Sequence, residues 1–71
     1  MSKLDLGGVK LDTDKLLEAG DHIYIILDTP IIYEHHGIYI GNFKVIHFSN
    51  WIVETNLREF ASNQVVRKAP D

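Results

Sequence analysis

Three of the four histidines in this chain lie in one stretch, residues 35–48. Imidazole titrates nearest to neutral pH among unperturbed side chains and also binds metal ions, so His35, His36 and His47 are candidates for proton transfer or metal binding. The chain contains no cysteine, which excludes disulfides, thiolate metal ligands and a cysteine nucleophile supplied by these 71 residues. The chemistry of the chain therefore centres on these histidines.

The loop within this stretch decides which histidines can meet. A two-residue loop at Gly41-Asn42 would place His36 directly opposite His47. A three-residue loop would place Gly37 opposite His47 and make His35 a diagonal neighbour of His47 on the same face. A shift of one residue thus exchanges the histidine partners.

We prefer the three-residue loop because it separates the apolar side chains from the histidine pair. One side of the hairpin is then apolar, with Ile38, Ile40, Ile46 and Phe48. The other side carries Tyr33, His35, Gly37, Tyr39, Val45 and His47.

Gly37 is unusual because it lies in the middle of a predicted strand. Such a glycine marks a bulge or a place where another group approaches closely. Here it could open space beside His35 for a second catalytic element, or make room for a packed helix. The sequence leaves both interpretations open.

Runs of β-branched and aromatic residues predict the strands that position this site. Pro30 ends the first strand, and His22, at its beginning, is interpreted as a solvated edge residue rather than a ligand. The charged end of the last strand is typical of a sheet edge. The predicted strands are residues 21–28, 32–40, 44–48 and 64–68.

The helical predictions are short. Asn56 followed by Glu59 has the form of a capping box and predicts a helix over residues 57–62, with Leu57, Phe60 and Ala61 facing inward. Residues 14–19 are predicted to form a short helical turn, and residues 1–12 an N-terminal arm or weak strand. The expected fold class is α+β, a small antiparallel sheet of three to five strands with one or two short helices.

Length and composition restrict the remaining possibilities. The 71 residues allow a single small domain or a truncated part of a larger one. The net charge of −3 and the absence of a Lys/Arg cluster argue against nucleic-acid binding. No apolar run approaches the roughly 20 residues of a membrane span, and residues 1–5 lack the apolar core of a signal peptide, so the expected compartment is the cytoplasm.

Three segments of the sequence carry a family resemblance: Gly20-Asp21-His22-Ile23, residues 35–42 and residues 45–48. Together they resemble the first half of the lecithin:retinol acyltransferase domain, a papain-like group related to NlpC-type hydrolases. The resemblance covers residues 18–70, and the two histidine segments have the family's order and twelve-residue separation. It implies that this chain folds as the sheet half of a papain-like domain.

The resemblance also implies a chemistry, thiol-dependent transfer or hydrolysis of an acyl ester or lipid without a cofactor. By position, His35 matches the family's base and His47 the histidine that supports it, with Tyr39 and Gly37 as supporting residues. His36 falls where relatives tolerate an aromatic residue and is interpreted as structural. The family's cysteine, on a later helix, has no counterpart here, so these residues are expected to be inactive alone.

Three alternatives follow from the missing nucleophile. The chain could be completed by a complementary cysteine-bearing segment. It could instead be a non-catalytic interaction module that self-associates through its sheet, and a homodimer is expected because one sheet face should be uncovered. A third alternative is a metal site formed by His35, His47 and a carboxylate such as Glu34 or Asp28.

Overall fold

A computed structural model of the chain describes residues 8–13, 15–28 and 30–70, together with the backbone of residues 3–5. The elements are β1 (Lys3–Asp5), β2 (Val9–Leu11), β3 (His22–Asp28), β4 (Ile32–Gly41), β5 (Lys44–Ser49), β6 (Trp51–Asn56), α1 (Leu57–Ala61) and β7 (Arg67–Lys68). The centre is a five-stranded antiparallel sheet in the order β6-β5-β4-β3-β7, and β1 and β2 form a separate antiparallel pair. The predicted α+β class is confirmed, with one short helix in the described part.

The β4–β5 hairpin has the predicted pairing but a different turn. Gly37 lies opposite His47, and the next pair on each strand is also as predicted. The connection is a two-residue turn of Asn42 and Phe43, with φ values of 52° and 62°, and the register shifts between Tyr39 and Gly41. The predicted three-residue loop is therefore wrong: a bulge in β4 takes up the extra residue and leaves the histidine register unchanged.

The turn is fixed by contacts on both sides. The amide of Phe43 donates to the Tyr39 hydroxyl (3.1 Å), and the carbonyl of Phe43 accepts from the Leu57 amide (2.6 Å) at the start of α1. These bonds hold a non-glycine residue at positive φ, a conformation that is uncommon for a bulky side chain.

The core lies on the histidine side of the sheet. The sequence predicted that the hairpin side carrying Ile38 is apolar, and its side chains are. That side is nevertheless exposed: Ile38 is 41% and Phe48 64% accessible. The cause is the packing of α1 and β2 on the opposite side. The core residues are Val9, Leu11, Leu17, Ile23, Ile25, Tyr39, Val45, Leu57, Phe60, Ala61 and Val66.

Helix α1 begins at the predicted cap and presents the predicted face. The Asn56 side chain accepts from the Glu59 amide (2.7 Å), which satisfies one of the unpaired donors of the first turn. Leu57, Phe60 and Ala61 are buried as expected.

The predicted helical turn at residues 14–19 is wrong for residues 15–19, which form no helix; Asp14 lies outside the described residues. The amide of Glu18 donates to the Asp21 carboxylate (2.8 Å), and the amide of Gly20 donates to the Tyr39 carbonyl (2.7 Å). Bonds to a side chain and to β4 thus replace helical ones, as expected where so short a helix would have a costly nucleus.

A backbone clasp joins β2 to the segment before β7. The amide of Asp12 donates to the Val66 carbonyl (3.0 Å), and the amide of Val66 donates to the Lys10 carbonyl (2.9 Å). Leu11 and Val66 form a parallel bridge. The clasp holds β2 against the core on the histidine side of the sheet.

Candidate active site

His35 and His47 are brought together on the core side of the sheet. Their strands β4 and β5 are paired, with Gly37 opposite His47, so His35 is the diagonal neighbour that the sequence predicted. Nε2 of His35 lies 2.9 Å from Nδ1 of His47, and the rings meet edge to face with centroids 4.8 Å apart. The two side chains therefore form one hydrogen-bonded unit.

Thr55 extends this pair to a third group. Its Oγ1 lies 3.2 Å from Nε2 of His47, which gives a chain from His35 through His47 to a hydroxyl on β6. Sequence reasoning missed Thr55 because it recognised only part of β6. The signal was the alternation of β6: Val53 lies opposite His47, so Thr55 is on the histidine face.

Phe60 of α1 covers the imidazole pair. Its ring centroid is 5.3 Å from that of His35 and 5.4 Å from that of His47. Burial lowers the pKa of His35, and the neighbouring His47 and, more weakly, His36 lower it further. His35 is therefore held in its neutral, proton-accepting form at neutral pH.

Gly37 provides the close approach of α1 to the sheet. A Cβ at this position would lie 2.7 Å from Val45 Cγ1, 3.0 Å from Phe60 Cε1 and 3.1 Å from the Ile46 carbonyl oxygen. Of the two interpretations left open by the sequence, the structure favours room for a packed helix, and that helix carries the ring beside His35.

Tyr39 shares the face of His35 but does not bond to it. The side chain is buried, and its hydroxyl accepts from the Phe43 amide in the turn. Its backbone amide donates to the Asp21 carbonyl (2.9 Å). Tyr39 therefore supports the hairpin that positions the histidines.

An open groove of about 270 Å³ runs beside the imidazole pair. Leu27 and Tyr33 form its apolar wall on one side, and Glu59 lies on the α1 side. The groove gives a second molecule or segment access to His35 and His47 from the histidine face.

The other two histidines meet on the opposite face of the sheet. Nε2 of His22 lies 2.7 Å from Nδ1 of His36, and Nε2 of His36 lies 2.8 Å from the Glu34 carboxylate. Tyr24 stacks on the His36 ring, with centroids 5.1 Å apart. His22 is exposed, as interpreted from the sequence, but the sequence did not reveal this cluster.

Neither carboxylate considered for a metal site with His35 and His47 lies on their face of the sheet. Glu34 bonds His36 on the far face, and Asp28 lies on that face too because it alternates with half-buried Leu27, which packs against the core. Within residues 8–13, 15–28 and 30–70, no group of three or more histidine, cysteine, aspartate or glutamate side chains is arranged to hold a metal ion. In the same part of the chain, no helix is long and apolar enough to cross a membrane.

Comparison with known proteins agrees with the resemblance. Residues 15–70 match the protein family described as lecithin retinol acyltransferase. A 33-residue stretch is 58% identical to Protein LEAD-SENSITIVE 1 of Arabidopsis thaliana; it covers 46% of this chain and 12% of that protein. No solved structure matches the chain. The family match spans most of the chain, including both histidine pairs and the helix that covers one of them, and the chain therefore belongs to the lecithin retinol acyltransferase family.

Proposed function

We propose that this chain supplies the histidine half of a thiol acyltransferase or acyl hydrolase site, with His35 as general base and His47 as the residue that positions it. The observation that carries the proposal is the 2.9 Å bond between the two imidazoles beside an open groove. A thiol nucleophile requires an adjacent base, and that base requires a third group that fixes its tautomer.

One direction of the hydrogen-bond chain suits a base. In this direction, His35 Nε2–H donates to His47 Nδ1, and His47 Nε2–H donates to Thr55 Oγ1. Both short distances are then hydrogen bonds between neutral rings or from a neutral ring to the hydroxyl. Nδ1 of His35 then carries a lone pair, and among the described residues it has no hydrogen-bond partner. This nitrogen is the proposed proton acceptor.

The reaction requires a thiol that these 71 residues do not contain. A cysteine-bearing segment seated in the groove would give its S–H proton to His35 Nδ1. The thiolate would attack the acyl carbonyl, forming the C–S bond and breaking the C–O bond, and the departing alcohol would take the proton from His35. Water or a second acceptor would then release the acyl group from sulfur.

The proposed substrate is an acyl ester, in general a lipid. The family's description names an acyl transfer involving lecithin and retinol, and the groove wall formed by Ile25, Leu27 and Tyr33 is apolar enough to contact an acyl chain. These features support an apolar acyl substrate.

The test compares the 71-residue chain with the same chain joined to a cysteine-bearing segment from a family member. We expect p-nitrophenyl ester turnover only in the joined protein, a loss of at least 100-fold in kcat with His35→Ala, and a smaller loss with His47→Gln. Glu54→Gln, on the far face, is the matched control and should leave turnover unchanged.

Two results would contradict the proposal. One is substantial turnover by the 71-residue chain alone that His35→Ala abolishes, because the thiol would then be unnecessary. The other is full activity of the joined protein with His35→Ala, because another group would then be the base.

A second candidate function is self-association of a non-catalytic module. Ile38 is paired with Ile46, and Phe48 with Ile52, so their side chains form an apolar patch on the far face of the sheet, exposed except for half-buried Ile46. We propose a second copy of the chain as its partner. Sedimentation should then show a dimer that Phe48→Ser and Ile52→Asp both dissociate and His35→Ala does not; a monomer would exclude this candidate.

A further inference from the structure

The His22–His36 pair on the far face is not used by the proposed reaction. Its two facing nitrogens are 2.7 Å apart, and neither imidazole contributes to the core. The pair has three properties of a two-histidine metal site: close nitrogen atoms, a carboxylate behind one ligand, and access to water.

We propose that His22 Nε2 and His36 Nδ1 bind a divalent transition-metal ion of the copper(II) type, with solvent completing its coordination. This inference is independent of the acyl-transfer proposal, because the site lies on the opposite face of the sheet and uses different residues.

The separation of the nitrogens selects the geometry. Metal–imidazole bonds are about 2.0–2.1 Å long, so two ligands of a tetrahedral zinc ion lie about 3.3 Å apart. Neighbouring ligands in the square-planar or tetragonal arrangement preferred by copper(II) lie about 2.9 Å apart. The observed 2.7 Å is closer to the copper value, and both rings must turn so that their facing nitrogens point at the metal instead of at each other.

Glu34 prepares His36 as a ligand. The His36 Nε2–H donates to the Glu34 carboxylate at 2.8 Å, which leaves the lone pair on Nδ1, the nitrogen that faces His22. Metal-bound histidines commonly donate their other ring N–H to a carboxylate, which fixes the ring and raises its basicity. Tyr24, stacked on the His36 ring, holds the plane of the same ligand.

His22 becomes a ligand when its proton leaves the nitrogen that faces His36. With the His36 Nε2–H on Glu34, the bond between the rings is a donation from His22 Nε2–H to His36 Nδ1. Once that proton has left Nε2, both facing nitrogens carry lone pairs. The metal then replaces one hydrogen bond with two coordinate bonds.

Exposure distinguishes this pair from the one beside the groove. The side chains of His36 and Glu34 are 43% and 54% accessible, so water molecules can occupy the remaining metal positions. His35 and His47 are covered by Phe60, and their outer partner is the Thr55 hydroxyl. A metal between them would have a hydroxyl instead of a carboxylate behind its second ligand.

The test is a titration of the 71-residue chain with Cu²⁺ alone, followed by electron paramagnetic resonance. We expect one tightly bound equivalent whose spectrum shows two imidazole nitrogens. His22→Ala and His36→Ala should each weaken Cu²⁺ binding at least tenfold. Glu34→Gln should weaken it by about tenfold, because it removes the carboxylate that holds the metal-binding ring of His36.

The control is the double variant His35→Ala/His47→Ala, which should bind Cu²⁺ as the parent does. Circular dichroism would establish that each variant is folded. Unchanged Cu²⁺ affinity in both His22→Ala and His36→Ala would overturn the site, as would loss of binding in the double variant alone. Binding of Zn²⁺ as tightly as Cu²⁺ would overturn the assignment to copper.

Discussion

The two faces of the sheet each hold a pair of hydrogen-bonded histidines, but their surroundings differ. The His35–His47 pair lies under the Phe60 ring, ends at a hydroxyl and borders a groove. The His22–His36 pair is exposed, ends at a carboxylate and lies under a stacked tyrosine. Strand alternation alone assigns neighbouring His35 and His36 to opposite faces.

The comparison shows that two features decide what a histidine pair can do. One is the group hydrogen-bonded to the end of the pair, and the other is whether the rings are covered or exposed to solvent. Burial, and then the neighbouring His47, lower the pKa of His35 and leave it able to accept a proton. A carboxylate behind His36 and open solvent suit coordination of a cation. Similar imidazole spacing, 2.9 Å on one face and 2.7 Å on the other, therefore supports two different proposals.

The largest expected effect is a difference in the free energy of unfolding between substitutions on the two faces of the sheet. Leu57→Ala, at a fully buried position, should lower the free energy of unfolding by roughly 2–5 kcal/mol. Ile52→Ala, at a position 69% accessible on the far face, should change it by less than about 0.5 kcal/mol. Urea unfolding measures both, and equal losses would mean that the far face is covered in solution.

The next effect tests the close approach of α1 to the histidine face. Gly37→Ala should cost roughly 1–3 kcal/mol through overpacking, because the new Cβ would meet Val45, Phe60 and the backbone of β5. Thermal unfolding measures the loss. Adding Phe60→Leu should recover part of it; a double variant with fully additive losses would show that Phe60 is not the obstacle.

A smaller effect tests the contact between the Thr55 hydroxyl and the His35–His47 pair. Thr55→Val keeps the side-chain shape but removes the partner of His47 Nε2, and should cost about 0.5–1.5 kcal/mol. Thr55→Ser keeps the hydroxyl and is the matched control. If both variants lose the same free energy in urea unfolding, the hydrogen bond does not contribute.

The smallest effect is a pH dependence of the free energy of unfolding, caused by His35 of the His35–His47 pair. Because the folded-state pKa of His35 lies below its ordinary value of about 6.5, the unfolded chain binds this proton more readily than the folded chain. The contribution of His35 to the free energy of unfolding is complete at pH values above the ordinary histidine pKa. It is lost as the pH falls from there through the lowered folded pKa.

NMR titration of the imidazole proton signals should give a midpoint for His35 below the ordinary histidine value. His47→Gln removes the neighbouring imidazole charge and should raise that midpoint. His35→Gln should flatten the acid side of the stability profile. A midpoint for His35 above the ordinary value would show that burial does not control this group.

Much of the hairpin could be predicted because its determinants are local. Alternation within residues 32–48 and the requirement for a short turn gave the pairing of Gly37 with His47, which the structure confirms. The cap of α1 was also local, since Asn56 and Glu59 are three residues apart. The turn itself was wrong because the sequence did not reveal the bulge that offsets the shorter loop.

Most of the other errors concern features set by elements outside the segment in question. Whether the Ile38 side or the Val45 side is buried depends on where α1 and β2 pack, and the strand pattern does not contain that information. The His22–His36 contact depends on the pairing of β3 with β4, in which His36 lies opposite Tyr24. Residues 15–19 looked helical locally, but their backbone bonds to Asp21 and Tyr39 instead.

The clasp between β2 and Val66 implies an order of assembly. Beside the clasp, the Lys68 amide donates to the Asp12 carboxylate, which lies 56 positions away in the sequence. Bringing such distant residues together costs chain entropy that neighbouring hairpins avoid. We therefore expect strands β3 to β6 to form first, with both imidazole pairs already in register, and the clasp to close last. In hydrogen exchange, the amides of Asp12 and Val66 should then lose protection before those at the centre of the sheet.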